Sequence, residues 1–412
     1  MKTSIATLNA VPIFCCVFFI SCSQPAETQT ASQQQAVQRV RKSYRPSGVS
    51  VTDSQVIKDV TADSGYTEVN LNLQSAITDK SLKHIADTLP ELQVLFFDSP
   101  KITDGGFKHI GRLRKLERLS VGSKNYTEAA IEAISELTEL RELELDNDKI
   151  SARSTKHLKN MTKLEILYLG FGKKMDDEGL SYLAGMNRLK EFDVGGFVGC
   201  EVTDVGLGHI GKMKAMEKLS INAPAVSDKG LEHLAGLPRL VELTIWYADH
   251  VTHEGVAQLS QNTSLESLRI FYGKSDIDGP GLASLVKLKN LKTFATRNVS
   301  DAAMAHIGKL TQLQELDIAE SHRIKGDGLS DLKGLVNLKE LSLSMTGAQD
   351  QHLAFLSGMT KLEKLFMTKT KITDAGLKHL HGLNKLEDLG TGFTKVTPEG
   401  REELKKILPN MR

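Results

Sequence analysis

From residue 71 to residue 404 the apolar positions follow two rhythms in alternation, and the pair recurs about every 24 residues; LEKLFMTKTKITDAGLKHLHGL, residues 362–383, shows it most plainly. The first half, LxxLxL, has period two and predicts a short strand whose second and third Leu point inward. The second half switches to spacings of three and four. Leu377, Leu380 and Leu383 then share one helical face, with Thr373 or Asp374 as its N-cap. The first Leu of each unit sets a register through Leu92, Leu116, Leu140, Leu164, Leu189, Met216, Leu240, Leu265, Leu291, Leu313, Leu338, Leu362 and Leu386, preceded by VNLNL at 69–73. Such a coil cannot bury its apolar face alone, so about fourteen of them must stack. Like-directed strands then form a parallel sheet on the concave side, and helices line the convex side. The Gly of xGL, at 106, 206, 230, 376 and 400 among others, predicts close approach between a helix and the neighbouring coil.

Both ends depart from the repeat. In the last coil Arg401 stands where other coils have an apolar residue, and REELKKILPNMR has a charged outer side. Residues 396–412 therefore read as a C-terminal cap of a domain covering 61–412, as an open stack requires. At the other end Lys2 precedes an apolar run, Ile13 to Ile20, too short to span a bilayer. Residues 23–60, rich in Gln, Ser, Thr and Ala with Arg39, Arg41, Lys42 and Arg45, read as a polar flexible linker. A basic cluster there could touch anionic lipid head groups.

The ITDxGLxxLxxLxxLxxLxL unit resembles the repeats of extracytoplasmic bacterial leucine-rich repeat proteins, and also those of F-box leucine-rich repeat proteins. The resemblance implies an α/β leucine-rich repeat solenoid, a horseshoe, whose usual role is binding. A ubiquitin-ligase substrate adaptor is the less favoured implication: the turn after the strand carries Thr346, Thr370, Thr394, Ser321 or Pro100 where that branch has Cys, and only a polar segment precedes the first coil. Phe19-Ile20-Ser21-Cys22 resembles the lipobox of bacterial lipoproteins, which implies that residues 1–22 are a signal peptide ending at a lipidated Cys22. The implied location is extracytoplasmic, anchored by lipid to the outer membrane or cell surface.

Composition adds exclusions. Lys and Arg number 52 against 51 Asp and Glu, so no global field attracts nucleic acid. Of the four cysteines only Cys200 lies in the repeats, and it reads as a small buried hydrophobe. No phosphate-binding loop, HExxH, GxSxG, CxxC or paired-carboxylate motif appears, so neither catalysis nor a cofactor is expected. His84, His109, His157, His209, His233, His306 and His379 occupy one helical slot. Residues in one slot of successive helices form a line rather than a metal cage.

Binding chemistry is expected on the concave face. With the anchor Leu as position one, positions three, five, seven and eight point away from the core. These positions hold an acidic stripe, Glu142, Glu144 and Asp146, then Tyr168 and Phe171, then Glu191 and Asp193. Further on they hold Glu242, Trp246 and Tyr247, then Arg269, Phe271 and Tyr272, then Arg297. Adjacent strands about 4.8 Å apart would place Trp246 beside Phe271 and Tyr247 beside Tyr272. Exposed contiguous aromatic area with arginine predicts a hot spot for a protein or peptide partner of a monomeric chain. A glycan or cell-wall ligand, stacked on the rings and held by Glu242, Arg269 and Arg297, is the alternative.

Overall fold

The structure is a computed structural model that describes residues 42–46, 51–72, 74–173, 175–194, 200–273, 277–297, 299–408 and 410–412, without the side chains of 148–150 and 171–174. Cys22 and the rest of segment 1–41 lie outside the described residues, as does the side chain of Phe171. One parallel sheet of fifteen strands runs in sequence order from β1 to β15. Its first strands are β1 (Ser43–Tyr44), β2 (Glu68–Leu71), β3 (Val94–Phe97), β4 (Arg118–Val121) and β5 (Glu142–Ser151). The middle is β6 (Ile166–Lys173), β7 (Glu191–Val194), β8 (Lys218–Asn222), β9 (Glu242–Trp246) and β10 (Ser267–Phe271). The last are β11 (Thr293–Thr296), β12 (Glu315–Asp317), β13 (Glu340–Ser342), β14 (Lys364–Phe366) and β15 (Asp388–Gly390).

Each strand pairs in register with the next, so like positions meet: Leu243 stands against Leu219 and Leu268, and Ile245 against Ile221 and Ile270. These inward residues are buried along the whole stack. The opposite side is helical, α over segments such as Asp204–Ile210 and Asp228–Ala235, but 3₁₀ over Ala152–His157, Pro280–Lys287, Asp327–Gly334 and Asp350–Gly358. An apolar spacing of three serves either form, which is why periodicity alone does not separate them. No helix among the described residues is long and apolar enough to cross a membrane.

The polar segment expected to be linker up to residue 60 is in part another coil. β1 pairs with β2 through Ser43–Glu68 and Tyr44–Val69, and the helix Asp53–Ala62 buries Val56 and Val60. Tyr44 is buried, and its hydroxyl donates to Asp59 at 2.9 Å. Two of the four cations of the basic cluster are engaged here, Lys42 with Asp63 and Arg45 with Glu68. The signal was weak because this coil has a two-residue strand and valines in place of the leucine triplet.

The Thr-Asp of each repeat has a use that spacing alone does not disclose. Thr203 is the N-cap of its helix, accepting from the Val205 N–H at 3.2 Å. Its own N–H and hydroxyl donate to Asp177 of the preceding coil, at 2.8 and 2.6 Å. Asp204 in turn accepts from the N–H and hydroxyl of Ser227 at 2.8 and 2.6 Å, and Asp228 from those of Thr252 at 2.8 and 2.7 Å. The same pair joins Asp350 to Thr373 and Asp374 to Thr397. One residue caps its helix and the next staples the coils together. The recurring glycine follows from this, because a Cβ on Gly230 would stand 2.5 Å from Asp204 Oδ1 and one on Gly376 2.5 Å from Asp350 Oδ1. Where the N1 residue is Glu128 the staple lapses, and that carboxylate pairs with Lys156 and His157 instead.

Candidate functional site: the exposed face of the sheet

Positions three and five of each strand point away from the core as expected, but position eight does not do so uniformly. Ser99, Ser123 and Asn147 hold that place in early coils and are fully buried. In later coils the same place holds Tyr247, Tyr272, Glu320, Met345, Lys369 and Phe393, all with φ between 55° and 59°. A left-handed residue at the strand end reverses the direction of its side chain and turns it outward. Non-glycine residues adopt this conformation at a cost of roughly 1 kcal/mol, so the aromatic rings of Tyr247 and Tyr272 are displayed at the expense of backbone ease.

β9 and β10 gather the aromatic residues into one cluster. Trp246 and Phe271 are register partners with ring centroids 4.8 Å apart, Trp246 stacks near Tyr272 at 6.1 Å, and Tyr247 lies 5.7 Å from Tyr272. Exposure divides them. Tyr272 is 43% exposed, Trp246 and Tyr247 are half-buried, and Phe271 is only 8% exposed. The expectation that Phe271 presents its ring is therefore corrected: it is the floor of the cluster, roofed by the Arg297 guanidinium at 4.7 Å. Arg297 is corrected with it, since it also pairs with Asp317 at 2.8 Å and lies 3.7 Å from Glu320. Arg269 is likewise engaged, with Ser267 at 2.5 Å and Glu315 at 3.4 Å. Sequence reasoning missed Asp317 and Glu320, because nothing in their own coil marks them as partners of an arginine one coil away.

The acidic stripe is thinner than its sequence. Glu142 is clamped by Arg118 through two bonds of 2.5 and 3.1 Å, and Glu191 takes the Tyr168 hydroxyl at 2.8 Å and Lys218 at 3.2 Å. Burial, helped by that bond to Glu191, raises the Tyr168 phenol well above its ordinary range. Glu242 has Lys218 at 3.9 Å. Glu144, which accepts from the Ser120 hydroxyl at 2.7 Å, and Asp146 are exposed.

Asp193 is different, because burial pushes its carboxyl up to about 6 and a Ser220 hydrogen bond offsets this only in part. Tyr168 faces it from β6, Glu191 shares its strand, and Lys218 and Ser220 lie on β8. A folded-state value above the unfolded one means that the folded chain holds a proton the unfolded chain gives up. The resulting penalty is absent below about pH 4 and complete above about pH 6. Asp193→Asn is expected to stabilise the fold by about 2 kcal/mol at pH 7.5 and hardly at all at pH 4. Chemical denaturation at both pH values checks this, and an equal effect at the two would refute the assignment.

No group of three or more His, Cys, Asp or Glu side chains among the described residues could hold a metal ion. The histidine slot makes local contacts, such as His84 with Thr61 and His157 with Glu128. Cys200 is buried and free, and burial pushes its thiol up to about 11.

Residues 71–274 match the family described as leucine-rich repeat region. Among solved structures the chain is similar to an internalin from Listeria monocytogenes, with 20% identity over 88% of each chain and a TM-score of 0.51. It is also similar to a leucine-rich repeat protein of Leptospira interrogans, with 17% identity over 86% of this chain and 85% of that one, at a TM-score of 0.57. A search of curated proteins finds no match. The match over residues 71–274 and the sheet topology together give this chain the fold of a leucine-rich repeat solenoid.

Proposed function

We propose that this leucine-rich repeat protein is a non-enzymatic recognition scaffold that binds another protein or a peptide through the exposed face of its sheet. Proteins of this class generally mediate protein–protein interaction. The observation that carries the reading is the cluster on β9 and β10: Trp246, Tyr247 and Tyr272 stand together on a rigid sheet, outside the leucine core. Aromatic residues with few rotors are the types that dominate binding energy at interfaces. The glycan reading is less well supported, because Arg269 and Arg297, the groups that would grip sugar hydroxyls, are committed to Glu315, Asp317 and Glu320.

Tyr272→Ala is expected to weaken partner binding by about 2 kcal/mol, some thirtyfold, with an unchanged thermal midpoint. Partner capture by crosslinking in the native cell, then titration of wild type and variant, checks this; a fallen midpoint with affinity intact would make the ring structural. Location is part of the proposal: lipid on Cys22 holds the chain at a bacterial membrane, outside the cytoplasm. Wild type should then fractionate with membranes while Cys22→Ser does not mature into a membrane-bound form. A soluble cytoplasmic protein that retains residues 1–21 would rule the anchor out.

A further inference from the structure

The exposed sheet face does not share the charge balance of the chain. Basic and acidic residues are nearly equal overall, 52 and 51. Yet the outward positions described on β5, β6 and β7 hold Glu142, Glu144, Asp146, Glu191 and Asp193 and no lysine or arginine. Bordering cations Arg118 and Lys218 neutralise Glu142 and Glu191. Glu144, Asp146 and Asp193 are left in surplus, with no cation paired to them among the described residues. This surplus is joined to the aromatic cluster: Ser220, which hydrogen-bonds Asp193, also receives the Trp246 Nε1–H at 3.4 Å.

We infer that the acidic strands and the aromatic cluster form one docking surface for an extended basic segment of a partner protein. A bulky apolar side chain of that segment rests on Trp246 and Tyr272, and its lysine or arginine side chains reach Asp193, Asp146 and Glu144. The inference rests on the reading of this face as a protein-binding surface. β5 and β10 are five strand spacings apart, roughly 24 Å, a span that about seven extended residues cover. Asp193 favours a cation most, because its carboxylate has already lost part of its water and a charge partner acts there at lower effective dielectric. An acidic segment would meet repulsion over the same span, and a neutral one would leave three carboxylates uncompensated.

Trp246 is the only tryptophan, so its emission reports directly on this surface. The full chain is titrated with tryptophan-free synthetic peptides of about ten residues, each with one Phe near an end followed by either Lys and Arg, Ser, or Asp and Glu. The basic set is expected to shift Trp246 emission with an affinity at least about tenfold above the Ser set, an advantage that shrinks with added salt. The acidic set should give no shift. Asp193→Asn combined with Glu144→Gln should abolish the basic advantage without lowering the thermal midpoint. Neutral or acidic peptides binding as tightly as basic ones, or a double variant that keeps the preference, would overturn the charge rule while leaving protein recognition intact. If no peptide shifts the emission and peptidoglycan-derived oligosaccharides do, both the inference and the proposed function fall.

Discussion

Deletion of residues 396–412 is expected to make the repeat domain aggregate. The helix Pro398–Ile407 and the residues after it bury Leu404, Leu408 and Met411 over the last repeat. Their loss removes three buried side chains and uncovers Leu386 and Leu389 beneath, five in all, a change of about 8 to 15 kcal/mol at 1.5 to 3 kcal/mol per side chain. The deletion also opens an edge. The Arg401 guanidinium turns inward to the Leu389 carbonyl at 2.7 Å and to the Thr391 hydroxyl at 3.1 Å, and the Arg412 N–H donates to the Glu387 carbonyl at 2.8 Å. Without them β15 presents unpaired backbone groups, a template for another chain. Light scattering and a thermal scan of the truncate check this. A monodisperse truncate with the wild-type midpoint would show that the segment does not cap the stack.

Asp204→Ala is expected to destabilise the middle of the solenoid by about 3 kcal/mol, because two hydrogen bonds to a charged acceptor are lost and the Ser227 N–H is left without its partner. The loss falls on the contact between neighbouring coils, which is the term that makes a repeat array unfold as one unit. The denaturation curve should therefore broaden as well as shift. Asp204→Asn keeps an acceptor in the same place and should recover more than half of the loss. Ser227→Ala leaves the backbone bond to Asp204 but removes both the hydroxyl bond and the N-cap acceptor of the Lys229 N–H, and should cost about 1 to 2 kcal/mol. If the alanine variant at Asp204 melts with the wild-type midpoint and width, the carboxylate does not staple the coils.

Much of this architecture was legible in the chain. A strict change from period two to spacings of three and four, repeated from Leu92 to Leu386, admits no other arrangement than stacked strand–helix coils. The same period placed Trp246 beside Phe271, since residues with equal offsets in adjacent coils must be neighbours in a parallel sheet. The first coil escaped notice because β1 and the helix Asp53–Ala62 have no leucine triplet, although Val56 and Val60 bury the same kind of face.

What the sequence determined by itself is therefore everything that depends on offset: the repeat, the direction of positions three and five, and which side chains share a row. The tertiary structure decided what depends on backbone handedness and on neighbours. Ser99 and Tyr247 hold equivalent places, yet one is buried and the other displayed, because only the latter lies at φ 55°. Glu142 and Asp193 read alike as acidic positions, yet Arg118 neutralises the first while burial raises the second to about 6. Phe271 and Tyr272 are consecutive aromatics, and the Arg297 guanidinium from the next coil covers one and leaves the other open. Repetition determines where a side chain starts; the turn conformation and the charge one coil away determine where it ends.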